Sequence, residues 1–588
     1  MNFKLRYLLL IAFLMNKLLS YIHFGLLLIC CFSVTSCSSR LKSDSKTVHF
    51  TNDDFIAHFD YLNYKGDDDF YTKNPLPGDD YFYNPILPGW YSDPSICKNG
   101  DDYFLVTSTF SYFPGVPIFH SKDLVNWKQI GNVLDRPSQL KLNGQRVSQG
   151  IFAPAISYNP HNQTYYMITT NIGSGNFLVK TKDPFGEWSD PVWLPDVHGI
   201  DPSFFFDDDG KAYIVNNDEP VGGSKYEGHR AIRIQQFDVE REKTFGPRIM
   251  LVNGGVNLAE KPIWIEGPHM YKINGKYFLM CAEGGTSVNH SEVIFRGDTP
   301  MGKFTPWDKN PMLTQKNLDP NRPIPITCAG HADLVQKGNG EWWAVFLACR
   351  PIGNKFENLG RETFLLPVKW SDDGFPYITK GNEVVSRIVR VNGVKRDSLC
   401  TFGNFEKNDD FNSRKLDIEW MTLREPIDSL YSLTDNPDYL SLKCANISST
   451  ELKAPAYICR RMQHHKFVCT TKLYFEPTNE KETAGLLLLK DEKHQYFLSV
   501  GKLDGGRKVS LEKITDSGDF TLASNRIAGG NSPIRLKVVS KGKTYDFYYA
   551  LGDDAWQSLC RDIDAYYLST ANSFGFTGTT IGMYATSK

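Results

Sequence analysis

Between Asn84 and Val394 a short apolar run, a polar turn and an aromatic-rich run follow one another five times. The segments are DPSICKNGDDYFLV from Asp93, APAISYNPHNQTYYMI from Ala153, DPSFFFDDDGKAYIV from Asp201, EGPHMYKINGKYFLM from Glu266 and HADLVQKGNGEWWAV from His331. Each predicts two strands joined by a tight turn, because the runs are strand-length and the turns carry Gly, Asn or Asp. The units recur at intervals of roughly 50 to 65 residues, the spacing of four-stranded blades in a β-propeller. Further strands in VPIFHSKDLVNWKQIG and NFLVKTKDPFGEWSDPV repeat one idea: a strand, a polar hairpin and a Trp packed between blades. No helical 3.6-residue periodicity of useful length interrupts them. After about Cys400 the pattern changes to alternating strands such as LYFEPTN, AGLLLLKDEKHQYFLSVGK and IRLKVVSKGKTYDFYYAL, which predict a β-sandwich. The chain reads as all-β: a five-bladed propeller over 84–394 and a sandwich over 400–588, with the boundary between Val394 and Asp409.

The 588 residues are too many for one core, which agrees with two or three domains. Ahead of the first blade, an apolar stretch from Tyr21 to Phe32 leads into Val34-Thr35-Ser36-Cys37. It is too short for a good membrane span and reads as a targeting segment. V-T-S-C resembles a bacterial lipobox, so residues 1–37 are expected to be a signal peptide with Cys37 as the lipidated residue. Residues 38–83 are polar and acidic, with Asp67-Asp68-Asp69 and Asp79-Asp80, and read as a tether. Membrane contact is expected only through that N-terminal lipid, in the bacterial cell envelope, periplasmic or surface-exposed. A net charge of −2 with no basic block removes the electrostatic argument for nucleic acid. The nine cysteines beyond Cys37 are scattered singly without a CxxC pair, as expected of small buried apolar residues.

Three repeats open on an acid: Asp93, Asp201 and Glu266. Equivalent positions in a radial repeat converge on one axis, so these carboxylates are candidates for a shared pocket. Glycoside hydrolysis needs two carboxyl groups, one to protonate the leaving oxygen and one to attack or to activate water. A third nearby negative charge raises the pKa of the acid. Taken singly, an Asp-Pro is usually just a turn; the periodic placement of all three is what points to chemistry. Asp207, Asp208 and Asp209 fall at a hairpin position and read as a solvated turn.

The segments NPILPGWYSDPSIC, TSTFSYFPGVPIFHSKDLVNW, GIDPSFFFDDDGKAY, WIEGPHMYK, HADLVQ and LGRETFLLPVKW together resemble glycoside hydrolase family 43. The likeness is to the β-xylosidase/α-L-arabinofuranosidase branch with a C-terminal concanavalin-like sandwich, and it runs from Asn84 to Lys588. It implies that Asp93 is the general base, Glu266 the general acid and Asp201 the residue that raises and orients that acid. It implies inversion without a covalent intermediate. Arg361 matches an arginine that bonds sugar hydroxyls, against a plainer reading as a partner of Glu362. His331 matches an axial histidine that in some members organises water or a calcium ion. Phe110 and Phe152 match apolar pocket walls, although many relatives carry Trp at Phe152 and at Tyr112. Phe574 or Phe576, the latter preferred, matches a sandwich residue that closes the pocket. No cofactor is required, while a structural calcium ion is allowed.

The expected function is release of terminal pentose from plant hemicellulose oligosaccharides, β-D-xylosidase first and α-L-arabinofuranosidase second. A non-catalytic glycan-binding lipoprotein and a protein-interaction propeller are the alternatives from other classes. The trio of acids argues against the first, and the pocket residues argue against the second.

Overall fold

The computed structural model describes residues 56–353, 355–398, 400–527 and 532–588. The expected signal peptide, residues 1–37 with Cys37, lies outside the described residues.

Five antiparallel sheets surround a common centre. Four are four-stranded along their main path, starting from inner strands Ser92–Asn99, Ile151–Asn159, Ile200–Phe206 and Glu266–Ile273. The fifth runs Thr327–Gln336, Trp342–Cys349, Glu362–Pro367. Its fourth position is filled from the other end of the propeller, where the backbone of Ile86 donates to Thr363 O (2.9 Å). The Asn84 side chain reinforces this closure by bonding both Leu365 O and Leu365 N. The hairpins turn where the sequence supplies flexible residues: Gly100 and Gly275 sit at φ of 59° and 74°, which only glycine adopts freely. The buried residues of neighbouring blades pack on one another, with Trp127 and Trp188 both buried as the Trp-bearing hairpins predict.

The sandwich pairs an eight-stranded with a six-stranded sheet over one apolar core. Its larger sheet corrects the reading of a tether over 56–83, the described part of the segment 38–83. Ala57–Gly66 is a strand in that sheet, pairing Lys466–Phe475 on one side and Leu440–Leu442 and Glu406–Asp409 on the other. Ala57, Phe59, Leu62 and Tyr64 enter the sandwich core. Asp68, in the supposed acidic tether, is buried and bonds Arg350 at 3.2 Å and the Lys466 backbone N–H at 2.8 Å. Arg350 in turn holds Glu362 through two 2.7 Å contacts. The middle residue of the negative run is thus a buried charged pin between propeller and sandwich, while Asp67 and Asp69 stay exposed.

A further shared cluster joins Trp90, Phe110 and Tyr112 of the propeller to Met421, Leu423, Tyr457 and Tyr584. Tyr112 is fully buried in it, its ring tilted 45° to that of Trp90 at 4.8 Å, and is an interface residue, not a pocket wall.

Candidate active site

One local device, used five times, shapes the centre of the propeller. Near its start each inner strand places one residue in the left-handed region: Asp93 (φ 53°), Ala153 (39°), Asp201 (53°), Gly267 (53°) and His331 (51°). At the same points the pairing to the second strand slips, for example between Ser92 and Ser95 and between Ile200 and Ser203. Such a bulge bends the strand and re-aims one side chain. Proline follows in four blades (Pro94, Pro154, Pro202, Pro268), where the interrupted ladder needs no N–H donor. All five left-handed residues line one cavity of about 10 Å³, room for about one water.

Glu266 does not take the position held by Asp93 and Asp201. Gly267 does, and a Cβ there would stand 2.9 Å from His331 Cε1. The imidazole therefore requires glycine, and the acid of this blade sits one residue earlier on a longer side chain. Asp93 and Asp201 are buried, while Glu266 keeps part of its surface open although protein crowds it on all sides. The Gly267 N–H donates to Asp201 Oδ2 at 3.0 Å, tying the two acidic segments together.

The environments divide the three acids. Burial alone would raise Asp93, but Arg361, His331 and the Ser108 hydroxyl overcome it and hold the carboxyl below its ordinary range. Arg361 Nη1 lies 3.0 Å from Oδ1, and Ser108 Oγ donates to Oδ2 at 2.6 Å while accepting from Ala153 N at 2.8 Å. Asp201 is pushed up to about 7 by burial and by the charge of Asp93. Glu266 is raised well above the usual carboxylate range, by burial first and then by Asp201 and Asp93. One carboxylate is kept ionised and one carboxylic acid kept protonated, the division of labour that acid–base catalysis requires. His331, with Nδ1 4.0 Å from Asp93 Oδ1, is lowered to about 4 by burial and is neutral near pH 7.

Arg361 and Glu362 do not pair with each other; Glu362 is taken by Arg350, which frees Arg361 for Asp93. Arg361 Nε is buried and has no hydrogen-bond partner within the protein. The guanidinium lies 5.8 Å from the Phe110 ring and 5.1 Å from that of Phe576. Phe576 reaches over from the sandwich, 6.2 Å from Phe110 and 5.5 Å from Phe152, with its N–H on Ser148 Oγ at 2.9 Å. Phe110 is almost fully buried and backs the wall that Phe152 and Phe576 present, whereas Phe574 points out, 78% exposed.

Asp207 is not the solvated turn expected: it is buried and accepts from Lys272 and Tyr277 (2.8 and 2.6 Å), joining two blades. The sequence reading also missed Ser108, which repeats no motif, and the pair Trp264 and Arg230 beside Glu266. Among the described residues, the donor atoms of Cys328, Cys349 and Glu357 lie within 4.8 Å of one another. Two sulfurs make a poor calcium site, and the charges of Lys490 and Arg361 act on the same cluster. Around the central cavity both Asp93 oxygens and Asp201 Oδ2 are engaged by Arg361, Ser108 and Gly267, which leaves far fewer than the six to eight oxygens calcium takes.

Comparison with known proteins places these residues in context. Residues 82–376 match the family described as Glycosyl hydrolases family 43, and residues 408–588 match the Beta xylosidase C-terminal Concanavalin A-like domain. A xylosidase/arabinosidase of Butyrivibrio fibrisolvens is 39% identical over 86% of this chain and 96% of its own. A non-reducing end alpha-L-arabinofuranosidase of Bacteroides ovatus is 37% identical over 86% of this chain and 91% of its own. The crystal structure of a GH43_12 protein from a capybara gut metagenome superposes with a TM-score of 0.85 at 42% identity, covering 90% of this chain and all of that one.

Proposed function

The chain belongs to glycosyl hydrolase family 43, and from that premise we propose that it is an inverting, exo-acting pentosidase. It removes terminal β-D-xylosyl and α-L-arabinofuranosyl residues from plant hemicellulose oligosaccharides. The observation that carries the reading is the opposite protonation of two acids on one axis: Asp93 ionised against Arg361, Glu266 protonated beside Asp201. Asp93 accepts a proton from the water that attacks the anomeric carbon. Glu266 gives its proton to the glycosidic oxygen as that bond breaks, and Asp201 keeps the proton on Glu266 until then. Arg361 holds the base in place, with its guanidinium beside the Phe576 wall of the pocket. Phe576 narrows the pocket to a chain end, which supports exo action. No step uses a cofactor.

Similarity to a xylosidase/arabinosidase and to an arabinofuranosidase supports activity on both sugars, with the smaller Phe152 ring reshaping the stacking surface. The chain is a bacterial envelope lipoprotein anchored at Cys37, a reading supported by the V-T-S-C that follows the apolar run. The test is hydrolysis of 4-nitrophenyl β-D-xylopyranoside and α-L-arabinofuranoside by the purified chain, with Asp93→Ala as the blank. Turnover of both above the blank is expected; turnover of neither contradicts the reading.

A further inference from the structure

Trp264 stands two residues before Glu266, so their Cα atoms are at most about 7 Å apart. Its backbone lies in the left-handed region at φ 54°, an unfavourable place for a bulky residue, and is held there by a 2.8 Å bond from its N–H to Gly228 O. Strain of this kind costs of order 1–3 kcal/mol and persists where the surroundings over-determine it. The ring is gripped by two glycines: a Cβ at Gly228 would lie 3.3 Å from Trp264 Nε1, and one at Gly285 3.3 Å from Cδ1. Despite this fixation Trp264 remains 39% exposed. Trp193 and Trp370 are equally open, but Trp193 sits on the outer strand of its blade and Trp370 in a separate two-stranded sheet, so exposure alone does not single out Trp264.

Arg230 completes the setting. Its guanidinium carbon lies 5.7 Å from the Trp264 ring centroid, and its side chain is 23% exposed. Its nearest ion-pair contact, Glu219, is loose at 3.9 Å and mostly solvent-exposed. Its charge is felt by Glu266, which places it on the acid's side of the pocket. The general acid must meet the glycosidic oxygen, so groups flanking it towards solvent face the leaving group rather than the terminal sugar.

We propose that Trp264 and Arg230 form the leaving-group subsite, with the second sugar ring of an oligosaccharide lying on the indole and its hydroxyls bonded by the guanidinium. This deepens the pentosidase reading and rests on it. A rigid aromatic face next to a partly exposed guanidinium, whose ion pair with Glu219 is loose, suits a ring that is apolar on its faces and hydroxylated at its edge. The subsite selects substrates whose leaving group is itself a sugar.

The test compares xylobiose with β-D-xylopyranosyl fluoride, whose leaving group has no ring, in the unsubstituted chain, Trp264→Ala and Trp264→Phe. Expected is a loss in kcat/KM for Trp264→Ala that is roughly tenfold larger on xylobiose than on the fluoride, equivalent to about 1.4 kcal/mol. Trp264→Phe should recover most of it. Equal losses on both substrates, accompanied by a lowered Tm, would assign Trp264 a structural role and overturn the subsite. Unchanged kcat/KM on both would overturn it as well. No turnover by the unsubstituted chain, on these substrates or on α-L-arabinofuranosides, would overturn the pentosidase reading and the subsite with it.

Discussion

Replacing Asp201 by Asn keeps the shape of the side chain and removes one negative charge beside the general acid. Asp201 Oδ2 sits 3.0 Å from the N–H of Gly267, the residue that follows Glu266. For a carboxyl–carboxyl separation of about 5–6 Å and an effective dielectric near 20, the repulsion is about 3 kcal/mol, or roughly two pK units. Glu266 must be protonated to work, so losing its neighbour's charge makes it give up that proton at lower pH. The basic limb of kcat/KM should therefore move to lower pH by roughly one to two units. The assay is release of reducing sugar from a disaccharide between pH 4 and 9, because a nitrophenolate leaves with too little protonation to report on the acid. The same substitution has a stability signature. The folded-state pKa of Asp201, about 7, lies above its unfolded value, so the native chain loses stability as pH rises between about 4 and 7. Asp201→Asn escapes that loss, and its stability relative to the parent should grow by at most roughly 2–3 kcal/mol between pH 5 and pH 7. An unmoved basic limb together with a pH-independent stability difference would refute the electrostatic coupling of these two residues.

Other expectations follow from the same contacts. Glu266→Ala should lose about 10²–10⁴-fold on sugar leaving groups and markedly less on 4-nitrophenyl glycosides; equal losses on both would remove its role as the acid. Asp68→Ala leaves Arg350 paired with Glu362 but removes its second carboxylate and the acceptor of the Lys466 N–H, and should cost about 1–3 kcal/mol by denaturant unfolding; a cost below about 0.5 kcal/mol, that of an ordinary surface change, would mean that the contact between propeller and sandwich does not depend on it. Cys37→Ala should move the protein from the membrane fraction to the soluble fraction of expressing bacteria, and unchanged fractionation would exclude the lipid anchor.

The propeller was legible because each blade repeats a strand, a turn and an aromatic strand within some fifteen consecutive residues, so the signal is local. The strand Ala57–Gly66 was not, because its partners Glu406–Asp409 and Lys466–Phe475 lie more than 300 residues away and its neighbours are acidic. Nothing in DDD says that the middle residue will meet Arg350. The repeat starts located all three acids, yet periodicity implied that Glu266 is the counterpart of Asp93. The structure gives that position to Gly267, because the His331 ring fills the space a side chain would need. Asp207 showed the converse error: a turn-like run hid one aspartate that Tyr277 and Lys272 draw inward from the next blade. Arg361 was found by resemblance, but its pairing with Asp93 across 268 residues is a property of the closed ring. Trp264 carried no sequence signal, since its importance lies in a strained backbone and two glycine contacts.

The claim that Asp93 serves as a base towards water, rather than as a nucleophile, is tested most directly by the configuration of the first-formed sugar. Proton NMR of 4-nitrophenyl β-D-xylopyranoside during early hydrolysis follows the anomeric signal of the single xylose released before mutarotation mixes the two forms. The account predicts that α-xylose accumulates first from the β-linked substrate. Initial release of β-xylose would show retention and contradict it.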